Sequence, residues 1–137
     1  MHFFTFADKD STLYEASGSL NAGLDEILEI RKDVTGNAPE GLGDVKVSRI
    51  LMKFDLYEIS QSIARGTIID PKFYLNLYDA NSTELGVSQS LWAYPVSQSW
   101  DGGEGFRMDT PVTQEGSSWD FRTSANDKDY WRPKSFE

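Results

Sequence analysis

The stretch Ser99–Thr110, SWDGGEGFRMDT, gathers the residues of this chain best suited to chemistry: carboxylates at Asp101, Glu104 and Asp109, a large ring at Trp100, and glycines at 102, 103 and 105. A phosphate cradle needs such glycines to lead into a helix N-terminus, usually with a lysine. No helical pattern follows GGEGFRMD, so that reading falls. Calcium needs several oxygen ligands, which Asp101, Glu104 and Asp109 could supply, but their spacing is not that of an EF-hand loop. Calcium is the one cofactor the sequence admits, and a solvated loop is favoured over it. A sugar platform needs exposed rings on strands, and Trp92, Tyr94, Trp100, Trp119, Tyr130 and Trp131 are candidates for a glycan or partner surface. The expected role of the stretch is plainer: a connection between strands, its glycines permitting turns and Trp100 turned inward as an anchor.

Catalysis finds little to build on. His2 is the only histidine and stands beside the N-terminus, so nucleophilic triads and most acid–base schemes lack their base. No HExxH, Walker or dinucleotide motif occurs. The 22 Asp and Glu residues offer many pairs, yet no spacing rule singles one out for glycoside hydrolysis. We expect no catalytic residue and no enzyme.

A chain of 137 residues suits one domain, 1–137, with a core large enough to need no disulfide. There is no cysteine, which removes thiolate metal sites and cysteine nucleophiles as well. The net charge of -9 opposes binding to a phosphate backbone, so nucleic acid is not an expected partner. No run approaches the roughly 18 apolar residues of a membrane span, and the opening MHFFTFADKD is not a leader, so a soluble protein without a membrane partner is expected.

The elements that would position these residues read mostly as strands. HFFTF and STLYEAS are short extended pieces, and DEILEIRKDV alternates well enough to favour strand over helix. TGNAPEGLGD is a loop. VKVSRILMKFDL is the strongest strand, with Ile50, Met52, Phe54 and Leu56 on the apolar face and Arg49, Leu51, Lys53 and Asp55 on the other. A short helix is expected where Leu56, Ile59 and Ile63 recur before Gly66. KFYLNLYDAN alternates again, VSQSLWAYPVSQSW is extended with Pro95 marking an edge or bulge, and SSWDFR is shaped like a strand. Together these predict an all-β fold, an antiparallel β-sandwich of jelly-roll type with one short helix after the central strand.

Two signatures carry a family resemblance. Arg49, Leu51, Phe54, Asp55 and Leu56 fit an R-x-L-x-x-F-D-L strand, and Leu75, Leu77 and Tyr78 fit the L-x-L-Y strand that follows it in DNRLRE-type β-sandwich domains. WAYPVSQSWDGGEG and the later GSSW are similar to that family's tryptophan-and-glycine loop and G-x-S-W strand. With its opening FFTFADKDSTLYEASGSLNAGLDEILEIRK, the chain resembles virion structural proteins of tailed phages. The resemblance implies a non-enzymatic virion component, assembled in the host cytoplasm, whose partners are other virion proteins or further copies of itself in a symmetric assembly. Domains of this kind continue through further strands after the second tryptophan motif, whereas this sequence stops at DYWRPKSFE. A fragment, or a sandwich completed by a partner's strand, would account for that. A second expectation from the same sandwich is a carbohydrate-binding module using Trp92, Trp100 and Trp119.

Overall fold

The computed structural model describes residues 2–35, 44–80 and 90–132. The chain divides into two compact units, one of Phe6–Phe54 with Ser97–Glu137 and a smaller one of Met1–Thr5 with Asp55–Val96. Among the described residues the regular elements are three strands and one short helix. The strands β1 (Ala7–Tyr14), β2 (Lys32–Thr35) and β3 (Asp44–Phe54) form one antiparallel sheet in the order β1-β3-β2. No second sheet layer is present among the described residues.

In the larger unit β3 is central, as its length and alternation predict. It pairs with β1 through Leu13↔Arg49, Ser11↔Leu51 and Lys9↔Lys53, and with β2 through Lys32↔Val47 and Val34↔Val45. Residues directly opposite in an antiparallel pair share a face. Lys9, Ser11, Leu13, Arg49, Leu51 and Lys53 therefore line one side of the sheet.

That side carries the core, which reverses the expected facing of β3. Leu13, Leu51 and Trp100 are buried together, with Trp119 and Trp131 packed against them, while Ile50, Met52 and Phe54 are only half-buried. The row that reads as polar covers the core because two of its cations, Lys9 and Arg49, end on aromatic rings, while Lys53 pairs with Asp8 at its end. Lys9 Nζ lies 4.5 Å from the centre of the Trp100 ring and the Arg49 guanidinium 4.6 Å from that of Trp119. Aliphatic stems cover the apolar surface while the charge faces a π-system. Tyr14, next to Leu13, points to the opposite face and forms a second cluster with Leu20 and Ala22.

Other expected strands are shorter or unpaired. HFFTF forms no strand, and β1 starts at Ala7. In DEILEIRKDV the ladder begins at Lys32, because upstream backbone groups bond to side chains instead: Glu29 N–H donates to Thr12 Oγ1 at 3.1 Å and Arg31 N–H to Ser48 Oγ at 2.8 Å. SSWDFR contributes only Phe121, to the isolated bridge Phe121↔Tyr130, and a second bridge, Glu115↔Ser124, flanks it.

The smaller unit contains α1 (Tyr57–Ala64), which appears where the Leu56, Ile59 and Ile63 spacing places it and ends at Gly66, φ +73. It has no buried residue. After it, Ile69–Tyr78 is free of any backbone hydrogen bond to a described residue, and its rings are exposed, 80 % for Tyr74 and 95 % for Tyr78. KFYLNLY alternates in sequence, but no backbone among the described residues forms a ladder with it.

Candidate binding surfaces

The stretch Ser99–Thr110 is organised around a residue far from it in sequence, Asn21. Asn21 is fully buried and its carboxamide is saturated. Nδ2 donates to the Gly102 carbonyl at 2.7 Å and to that of Ser117 at 2.8 Å, while Oδ1 accepts from the N–H of Gly105 at 2.8 Å and of Gly23 at 3.2 Å. The Asn21 N–H adds a bond to the Thr113 carbonyl at 3.0 Å. Four backbone groups of irregular loops, those of Gly105 and Ser117 buried and those of Gly23 and Gly102 half-buried, thus find partners in one side chain, which replaces the ladder those loops lack.

Glycine is required here by contact. Gly103 has φ +82, and a Cβ on it, or on Gly105 or Gly116, would collide with Asn21. The glycine run is a shell around an amide.

A second tie holds the loop to Ala22–Arg31. Arg107 Nη1 meets the Glu29 carboxylate at 3.2 and 3.3 Å, and the Arg107 N–H donates to Asp25 at 3.1 Å. The Arg107 guanidinium also sits 5.2 Å from the centre of the Tyr14 ring. Burial first, then the nearby negative charge of Glu29, pushes the Tyr14 phenol up to about 12. Hydrogen bonding to Glu29 adds to the rise, and the Thr12 hydroxyl opposes it. The positive charge of Arg107 opposes the rise.

The candidate calcium ligands separate into different roles. Asp101 and Glu104 are exposed, whereas Asp109 accepts from the Phe106 N–H at 2.9 Å and the Thr113 hydroxyl at 2.5 Å, which hold its carboxyl below the usual range. Among the described residues no group of three or more His, Cys, Asp or Glu side chains could hold a metal ion.

The candidate aromatics fall into two sets. Trp100 is 5 % exposed and points inward. Trp119 and Trp131 lie half-buried against the same core, with Trp131 Nε1 donating to the Ser118 carbonyl at 2.9 Å. Tyr130 is exposed and packs on Phe121 in a tilted contact, ring centres 4.7 Å apart. In the smaller unit, Trp92 and Tyr94 are 79 % and 77 % exposed and stand two residues apart in sequence.

Sequence reasoning missed Asn21, Glu29 and Arg107. Only the asparagine in SLNAGLD carries a signal, and that signal reads as a turn. No helix among the described residues is long and apolar enough to cross a membrane. Comparison with family models, with curated proteins and with solved structures gives no match.

Proposed function

We propose that the chain is a non-enzymatic structural component of a tailed-phage virion that acts through protein–protein assembly, its sheet being one layer of a jelly-roll-like β-sandwich. The observation that carries the reading is Ile69–Tyr78: an exposed, aromatic segment of alternating sequence whose backbone groups have no hydrogen-bond partner among the described residues. Unpaired strand-like backbone with apolar side chains is what strand addition by a partner uses. The family signatures at Arg49–Leu56 and Leu75–Tyr78 support the virion setting. Mass spectrometry of purified particles, with affinity capture of capsid and tail proteins by the isolated chain, tests it. Presence in particles and capture of a virion protein are expected; absence from particles and no capture overturn the reading.

A second reading, glycan recognition, is favoured by the exposure of both Trp92 and Tyr94, two residues apart in sequence. Glycan-array binding lost in Trp92→Ala, with near-ultraviolet circular dichroism unchanged, is its expected signature. Binding to no glycan removes it.

A further inference from the structure

Lys72 is the only Lys or Arg between Arg65 and Arg107, and its backbone sets it apart from the others. Of the chain's 13 Lys and Arg residues, all but Lys134 are described. Five lie in β1, β2 and β3. Arg31, Arg65, Arg107, Arg122, Lys128 and Arg132 each donate their backbone N–H to a described acceptor. Lys72 does neither. It is exposed, and no backbone group from Ile69 to Tyr78 is bonded to a described residue.

An endopeptidase takes several residues of backbone on both sides of the scissile bond into its cleft, so it cuts where that backbone is exposed and unbonded. At Lys72 this condition is met without any opening of the structure. At the other described cations a ladder, turn or loop bond must first be broken, and cleavage there is limited by how often it opens.

A cut after Lys72 leaves the ties of the larger unit in place. One piece carries β1, β2, β3 and Asn21, and the other carries Trp100, the glycine loop and Trp119. Between them run the bonds of the Asn21 carboxamide to Gly102, Gly105 and Ser117. Leu24 N–H also donates to the Gly105 carbonyl, and Asp120 N–H to that of Gly18, both at 3.0 Å. Arg107 holds Glu29, and Trp100 is buried with Leu13 and Leu51. None of these contacts uses a residue of Asp55–Val96.

We propose that the Lys72–Phe73 bond is a processing site for a trypsin-type endopeptidase, whose acidic pocket takes the Lys72 ammonium, and that the product is a two-chain form with residues 1–72 and 73–137 still docked. Water adds across the bond: the Lys72 carbonyl carbon takes the hydroxyl, and the proton goes to the departing Phe73 nitrogen, a new N-terminus. Once the tether is cut, the stability of the larger unit becomes a binding equilibrium that depends on concentration.

Brief treatment of the native full chain with a low ratio of trypsin, read by intact-mass spectrometry, tests the site. The first internal products should be 1–72 and 73–137, the latter with or without the three residues behind Lys134. Lys72→Gln should slow internal cleavage by on the order of tenfold or more, because the remaining described cations wait on opening. In native size-exclusion chromatography the two fragments should elute together, and in urea they should part at a midpoint that rises with protein concentration, unlike that of the uncut chain. First cleavage after another described Lys or Arg, or a Lys72→Gln variant cut as fast as the native chain, overturns the site. Fragments that separate on the column without urea overturn the two-chain form.

Discussion

The carboxamide of Asn21 occupies the space that a side chain at residue 103 would need, and Gly103 turns there with φ +82. The two residues are mutually required: the amide organises the loop, and the missing Cβ admits the amide. Gly103→Ala combines left-handed strain with overlap against a fixed buried group, and should cost about 2–4 kcal/mol. Gly66, at φ +73, has nothing within 4 Å, so Gly66→Ala carries strain alone, about 1 kcal/mol, confined to the end of α1. Urea titrations following the larger unit should show a lowered midpoint for the first variant and an unmoved one for the second.

Removing the amide itself should be worse. Asn21→Ala leaves the Gly102 and Ser117 carbonyls and the Gly105 N–H without their partner, a loss of about 3 kcal/mol or more. Asn21→Asp keeps the acceptor for Gly105 but points a carboxylate oxygen at two carbonyls. Its buried charge is unfavourable, so this variant should gain stability as pH falls and the acid regains a donor proton, opposite to the usual acid limb. Chemical denaturation of Asn21→Asp at neutral and mildly acidic pH checks the sign.

Tyr14 supplies an alkaline limb. Its folded-state phenol, at about 12, binds its proton more tightly than the unfolded one, whose reference value is 10.0. The stability this contributes is complete below pH 10, declines as pH rises through that window and is gone above 12, an effect on the order of 2 kcal/mol. Tyr14→Phe should flatten that decline and remove the late step from a spectrophotometric tyrosine titration.

Asp129 supplies an acid limb of opposite sign. The Arg122 guanidinium at 2.6 Å, and then the Thr123 hydroxyl at 2.8 Å, hold its carboxyl below the usual range. The stability is present above the unfolded carboxylate value and is lost as pH falls through the lowered folded one. Asp129→Asn should shift the thermal midpoint at neutral pH and leave less of a shift in acid, as read by differential scanning calorimetry.

What sequence revealed follows the range of the interaction. β3 and α1 were legible because alternation and three-to-four spacing are local patterns. The inward anchor Trp100 was legible from its size in a glycine-rich loop. The facing of β3 was not, because Arg49 and Lys9 count as polar until the Trp119 and Trp100 rings beneath them are placed. Asn21 was illegible for the same reason: its partners Gly102, Gly105 and Ser117 are more than 80 positions away, and no local rule joins an isolated asparagine to them. KFYLNLY alternates in sequence yet forms no strand among the described residues, because a ladder depends on a second backbone, which the segment's own sequence does not supply.

The larger unit is built from two stretches of chain, Phe6–Phe54 and Ser97–Glu137, with Asp55–Val96 strung between them. For a polymer loop, closure entropy grows only with the logarithm of length, about 0.6 kcal/mol per doubling. The Asn21 hub and the Leu13–Leu51–Trp100 core are therefore nearly indifferent to how long the intervening stretch is or what it spells. A different stretch inserted between Phe54 and Ser97 should therefore respecify what the protein touches without redesigning the contacts that make the larger unit fold.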